Sequence, residues 1–167
     1  MHQCQGETVD RLIRTYFHKK GKTVYDIGSY DVNGNQRGSV LRNGFSYIGV
    51  DIVVGPNVDM VIEPYKWNGL PDNSCDYIIS GSCLEHVQAL WLWAKELERC
   101  LKPGGICVIL VPFIREEHRF PVDCYRILPD GLKFLFTKWA NLECLDCGFN
   151  DGNIDTFFVG RKPDQIR

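Results

Sequence analysis

The stretch Thr23-Val24-Tyr25-Asp26-Ile27-Gly28-Ser29-Tyr30-Asp31-Val32-Asn33-Gly34, followed by Tyr47-Ile48-Gly49-Val50-Asp51-Ile52, decides how this chain is read. A short apolar strand runs into a glycine turn, and about twenty residues further on a second apolar strand ends in a carboxylate. An open parallel α/β sheet builds a nucleoside site in this way. The glycine lets backbone approach the ligand, and the acid accepts hydrogen bonds from ribose hydroxyls. A ligand containing a ribose is therefore expected at Gly28 and Asp51, the alternative being a purely structural α/β turn.

The turn itself separates two ligand classes. Dinucleotide enzymes use G-x-G-x-x-G so that a pyrophosphate can lie close to backbone at a helix N-terminus. Here Ser29, Tyr30, Asp31, Val32 and Asn33 stand between Gly28 and Gly34, so the second close-approach glycine is missing and an acid faces the loop. S-adenosylmethionine carries a ribose and a sulfonium cation but no phosphate, which suits a loop holding Asp26 and Asp31.

Composition narrows the field further. The 167 residues suffice for one domain, expected to span 1–167 with residues 1–20 as an N-terminal helix packed on the core. A hydrophobic content of 44% with 24% charged residues is that of a globular protein, and a net charge of -2 gives no field to attract a polyanion. Nucleic acid is thus a disfavoured partner. No apolar run reaches the ~20 residues that span a bilayer, and Met1-His2-Gln3-Cys4-Gln5 lacks the apolar core of a signal peptide, so a cytosolic protein with no membrane partner is expected. The basic run Lys19, Lys20, Lys22 reads as the end of the first helix, where cations complement the helix dipole. Of the eight cysteines, Cys144 and Cys147 form a C-x-x-C with no second pair, and an offset of three in a strand puts them on opposite faces. No metal centre is expected.

Apolar spacing predicts a helix over 7–20, a strand over 23–28, a short helix within 36–43 and strands over 46–52, 58–63 and 76–80. Val87, Leu90, Ala94, Leu97 and Leu101 predict a helix over 84–101, stopped by Pro103 and turned by Gly104-Gly105 into the unbroken apolar run 106–111. Such a run is what a central strand buried on both faces should show. A helix near 130–139 and strands near 141–147 and 155–161 complete the chain. The alternation calls for a doubly wound, mostly parallel α/β sheet.

Over roughly residues 20–160 the sequence resembles a class I S-adenosylmethionine-dependent methyltransferase. Val24-Tyr25-Asp26-Ile27-Gly28-Ser29, Gly49-Val50-Asp51, Cys83-Leu84-Glu85-His86-Val87 and Leu101-Lys102-Pro103-Gly104-Gly105 carry the likeness, in the right order and at the right spacing. The resemblance implies a Rossmann-like seven-stranded sheet with its last strand antiparallel. It implies that Gly28 and Ser29 lie against the methionine part of the cofactor, Asp26 near its amine, and Asp51 and Ile52 at the ribose. It also implies Glu63 near the adenine edge, and Ser80 and Cys83 along the pocket after the fourth strand. Tyr30 departs from the family pattern, which usually has a second glycine there, and so implies a differently pitched loop.

Val111-Pro112-Phe113, His118, Pro121, Asp123, Tyr125-Arg126 and Pro129-Asp130-Gly131-Leu132 further resemble small methyltransferases acting in glycan or secondary-metabolite pathways, which implies a small polar acceptor such as a sugar or metabolite hydroxyl. The acceptor site is open, covered by the N-terminal helix and the 112–128 loop, or completed by a second copy in a homo-oligomer. An alcohol acceptor must lose a proton, and histidine titrates in the right range. His86 and His118, both predicted at the carboxyl edge of the sheet, are the catalytic candidates, with Glu85 as a capping or orienting acid. His118 with Asp123 is weighed as a divalent metal pair and set aside, because two ligands do not make a site. Arg126 could clamp an acidic substrate or pair with Asp123 or Asp130, the salt bridge being the favoured reading. A cofactor-binding subunit without chemistry and a nucleotide-dependent oxidoreductase remain as rival readings.

Overall fold

The computed structural model describes residues 3–164. Helix α1 (Gln3–Tyr16) precedes strand β1 (Thr23–Ile27), helix α2 (Arg37–Arg42), strands β2 (Ser46–Asp51), β3 (Met60–Val61) and β4 (Cys75–Gly81), and a 3-10 turn, Leu84–His86. Helix α3 (Leu90–Cys100), strand β5 (Leu101–Pro112), helix α4 (Pro129–Phe134), a π-helical turn, Leu135–Trp139, and strands β6 (Glu143–Phe149) and β7 (Asp155–Arg161) follow. The seven strands form one sheet in the order β3-β2-β1-β4-β5-β7-β6. Pairings from β3 across to β5 are parallel, and β7 runs antiparallel between β5 and β6. The expected doubly wound sheet with an antiparallel last strand is the sheet observed.

Two apolar layers hold it. On one face Val9, Leu12 and Ile13 of α1 pack with Val24, Tyr77, Ile79 and Val108. On the other, Trp93, Ala94 and Leu97 of α3 pack with Ile78, Cys107, Ile109 and Phe136. The run Cys107–Val111 is buried throughout, so the lack of alternation in the sequence reflects helices on both faces of β5.

Four local expectations are corrected. The helix expected over 84–101 is broken: Val87 is extended at φ -88 and ψ 115, and α3 starts only at Leu90. The cause is a captured carbonyl. In an uninterrupted helix the Glu85 carbonyl would accept from Ala89, but it accepts from the Cys124 backbone N–H at 2.7 Å, and Ala89 N–H donates to the Tyr65 hydroxyl instead. At the other end α3 stops at Cys100 before Pro103. Lys102-Pro103-Gly104-Gly105 bulges out of β5, where Cys75 pairs with Leu101 and Tyr77 with Ile106. Gly104, at φ +73, supplies the left-handed residue that this bulge requires.

The first helix ends at Tyr16, so the basic run lies in the turn beyond it and does not close that helix; Lys20 instead reaches Asn43, the C-cap of α2. Lys20 Nζ donates to the Asn43 carbonyl and sits over the Phe45 ring, and Lys22 faces Asp76. Finally, β6 carries a bulge between Cys144 and Asp146, so Cys144 and Cys147 fall on the same face and pack on the same apolar layer rather than on opposite ones. Among the described residues no helix is long and apolar enough to cross a membrane.

Candidate active site

A cleft of about 1820 Å³ opens at the carboxyl edge of β1, β2, β4 and β5, where parallel strands end and loops diverge. Gly28 forms its innermost turn at φ +82, with its N–H bonded to the Val50 carbonyl. A Cβ on Gly28 would lie 2.4 Å from Cys83 Sγ and 2.5 Å from Cys83 Cβ. The glycine is therefore required by the neighbouring β4 loop.

Asp26 lies on the cleft floor, 3% exposed, and Oδ2 accepts from the Tyr47 hydroxyl at 2.6 Å. Burial pushes its carboxyl up to about 7; the Tyr47 bond opposes the shift and the nearby Asp51 charge adds to it. The same burial, with the Asp26 charge, pushes the Tyr47 phenol above its usual range. Asn57 Nδ2 donates to the Tyr47 hydroxyl and to the Ser29 carbonyl, while Arg37 Nε donates to Asn57 Oδ1 and its guanidinium lies 4.3 Å from the Tyr47 ring centre. Asp59 ends this chain, accepting from Arg37 and from the Gly49 N–H. A tyrosine two residues ahead of Gly49 was the one sequence signal for it. Asp26 pairs with Gly49 across the strands, and a Cβ on Gly49 would lie 2.0 Å from the Asn57 carbonyl oxygen, so the glycine makes room for the Asn57 loop.

Asp51 closes β2 at the cleft wall. Its Oδ2 accepts from the Tyr30 N–H at 3.0 Å and its Oδ1 from the Ile52 N–H at 2.7 Å. Oδ1 also accepts from the Val53 N–H at 3.4 Å, so Oδ2 is the oxygen that keeps a lone pair for a further donor. Ile52, Val53 and Val54 line the same wall and are exposed. Tyr30 occupies the position of the missing glycine by laying its ring on Gly55, where any Cβ would lie 2.1 Å from it, and by meeting the Phe120 ring at 5.7 Å across the mouth.

The remaining expected cofactor residues divide. Ser29 and Cys83 line the cleft, and Ser29 Oγ also donates to the Asn57 carbonyl. Glu63 does not face the cleft: its carboxylate is taken by Asn68 in the turn after β3, and Ile62, Pro64 and Tyr65 line the wall there. Ser80 lies behind the wall, its hydroxyl donating to the Ile27 carbonyl, so that it ties β4 to β1. Gln5 of α1, bonded to Ser82 Oγ, and Gln36 complete the inner wall, and residues 112–121 cover the outer end.

His86 and His118 meet edge to face at this outer end, ring centres 5.1 Å apart. His86 Nδ1 lies 2.6 Å from the Val122 carbonyl and His118 Nδ1 2.9 Å from the Glu116 carbonyl. A carbonyl only accepts, so each Nδ1 carries a proton, and in the neutral imidazole it is Nε2 that holds the lone pair. Burial lowers the pKa of His86, opposed by the Val122 bond. Both Nε2 atoms lie 3.7 Å from Glu85 Oε1, beyond hydrogen-bonding distance. Glu85 is fully buried, neither carboxylate oxygen has a hydrogen-bond partner, and desolvation pushes it up to about 8. Asp123 holds the same end of the cleft: its Oδ2 accepts from the His118 N–H at 2.7 Å and lies 3.6 Å from His118 Nδ1. Arg126 grips Asp123 with two bonds of 2.6 and 2.7 Å, and its carboxyl is held well below the usual range.

Comparison with known proteins accords with this geometry. Residues 26–109 match the family described as Methyltransferase domain. The chain is 26% identical over 133 residues to 2-methyl-6-phytyl-1,4-hydroquinone methyltransferase of Synechocystis sp., covering 72% of this chain and 41% of that protein. It is 31% identical over 98 residues to an uncharacterized methyltransferase of Mycobacterium sp., covering 53% of this chain and 38% of the relative. It thus spans about two fifths of the length of these relatives. Among solved structures, the complex of the Haloferax volcanii Trm112 methyltransferase activator with its methyltransferase aligns at a TM-score of 0.75 and 15% identity, over 98% of this chain and 91% of that one. Burkholderia thailandensis 1,6-didemethyltoxoflavin-N1-methyltransferase, with S-adenosylhomocysteine bound, aligns at 0.74 and 17% identity over 96% and 79%. With a family match over half its length, a glycine turn after β1, an acid closing β2 and the sheet order just described, this chain belongs to the methyltransferase domain family.

Proposed function

We propose that this domain transfers the methyl group of S-adenosylmethionine to a hydroxyl of a small molecule held in the outer cleft. The observation that carries the reading is the division of one cleft into an inner and an outer region. The inner region offers Asp51, Asp26 and the Gly28 turn, whereas the outer region presents a pair of imidazoles with free Nε2 atoms. The inner groups suit a ribose and an ammonium, and the outer ones suit a group that must give up a proton. The S–CH₃ bond breaks as the O–CH₃ bond forms in line, so positioning of the acceptor supplies most of the rate, and the hydroxyl proton leaves through the histidine end.

The mouth favours an acceptor with an apolar face. Ile52, Val54, Ile114 and Phe120 stand exposed around it, and one relative is named for a hydroquinone. The test has two stages. S-adenosylhomocysteine should raise the melting temperature and nicotinamide dinucleotide should not, which also separates the oxidoreductase reading. Transfer of labelled methyl to sugar and hydroquinone acceptors then separates an enzyme from a cofactor-binding subunit. No shift with S-adenosylhomocysteine refutes the proposal at its first stage.

A further inference from the structure

The geometry points to a divalent transition-metal site formed by Glu85 Oε1, His86 Nε2 and His118 Nε2 at the outer end of the cleft. The three ligand atoms lie within 4.8 Å of one another, and both nitrogens are 3.7 Å from the shared oxygen. The point in their plane equidistant from three atoms so spaced lies ~2.1–2.4 Å from each, so a small inward shift of the rings brings them to the ~2.0–2.2 Å of zinc bonded to imidazole or carboxylate. The second observation is independent of the spacing. Glu85 is fully buried, with both oxygens lacking any hydrogen-bond partner, and burial of an unpaired carboxylate is costly unless something else takes its lone pairs.

The outer shell is already in place. The Val122 and Glu116 carbonyls hold each Nδ1–H, which fixes the tautomer that presents Nε2, as partners of metal-bound histidines do. Two imidazoles and one carboxylate select zinc-like ions over magnesium or calcium, which prefer all-oxygen shells. His86 and His118 line the cleft while Glu85 lies beneath them, so the open coordination positions face the cleft. If the transfer proposed above takes place here, a hydroxyl bound at an open position has a lowered pKa and loses its proton to solvent as the methyl group arrives. The imidazoles then act as ligands rather than as the base. The products are the methyl ether, S-adenosylhomocysteine and one proton.

The site is tested without turnover. Chelator-treated protein is titrated with Zn²⁺ by calorimetry and with Co²⁺ by visible absorption, alongside Glu85→Gln, His86→Ala and a Cys144→Ser/Cys147→Ser double variant. One ion per chain is expected, with Co²⁺ bands free of thiolate charge transfer. Glu85→Gln and His86→Ala should each weaken Zn²⁺ at least ~100-fold, more than loss of an outer-shell partner does. The double cysteine variant should bind as the parent does. Retained affinity in Glu85→Gln and His86→Ala, loss in the cysteine variant, or no stoichiometric binding overturns the assignment. S-adenosylhomocysteine affinity, measured on the same samples, reports folding and tests the methyltransferase reading separately.

Discussion

Replacing Asp26 with Asn should flatten the pH dependence of stability on the acid side of neutrality. The Asp26 carboxyl titrates at about 7 in the fold against an ordinary 3.8 in the unfolded chain. Between those values the folded state holds a proton that the unfolded state has released. Stability contributed by this group is therefore complete below about pH 4, falls as pH rises, and is lost above about pH 7. About three pH units at 1.36 kcal/mol each set a ceiling of about 4 kcal/mol on that loss. Asn keeps an oxygen to accept from Tyr47 and carries no charge to desolvate. The variant should match the parent near pH 4 and exceed it by up to about 4 kcal/mol near pH 8. Glu85, raised to about 8, gives both proteins a slope of the same sign, so the quantity to read is the difference between the two curves. Urea unfolding at pH 4, 5, 6, 7 and 8 measures it. Curves that stay parallel within about 1 kcal/mol would refute a buried, mostly protonated Asp26.

Asp51→Ala should weaken S-adenosylhomocysteine binding by ~1.5–3 kcal/mol, the loss of charge-assisted bonds to ribose, read by calorimetry; an unchanged dissociation constant would remove Asp51 from the site. Gly28→Ala should destabilise the fold because its Cβ meets Cys83, and adding Cys83→Gly should restore some of the loss, a coupling of ~0.5–3 kcal/mol in a double-mutant cycle. Strict additivity there would mean that only the positive φ matters. His86→Ala and His118→Ala should each lower turnover ~100-fold with cofactor affinity intact, whether the imidazoles take the proton or hold an ion; normal turnover in both would place the proton elsewhere.

What the sequence made legible was what is periodic or what needs glycine. The unbroken run Cys107–Val111 announced a doubly covered strand, and Gly28 and Asp51 announced the cleft, because each requirement is local to a few residues. The break before α3 was not legible, since it comes from Cys124 reaching back to a carbonyl 39 positions earlier in the chain. The same holds for Tyr47 against Asp26, which depends on strand register, and for Cys144 and Cys147, whose shared face depends on one bulge. Glu63 illustrates the reverse case. It stands at the end of the right strand, yet a turn closed by Asn68 carries its side chain away from the cleft.

The bond from the Cys124 N–H to the Glu85 carbonyl, with the His86 ring on the Val122 carbonyl, fastens the covering segment through main-chain acceptors. A main-chain clasp is indifferent to which side chains the segment displays. With His118 and Phe120 kept, the side chains of residues 113–117 can therefore be exchanged without unfastening this segment. On the function proposed above, libraries confined to those positions should yield folded proteins with altered acceptors at high frequency.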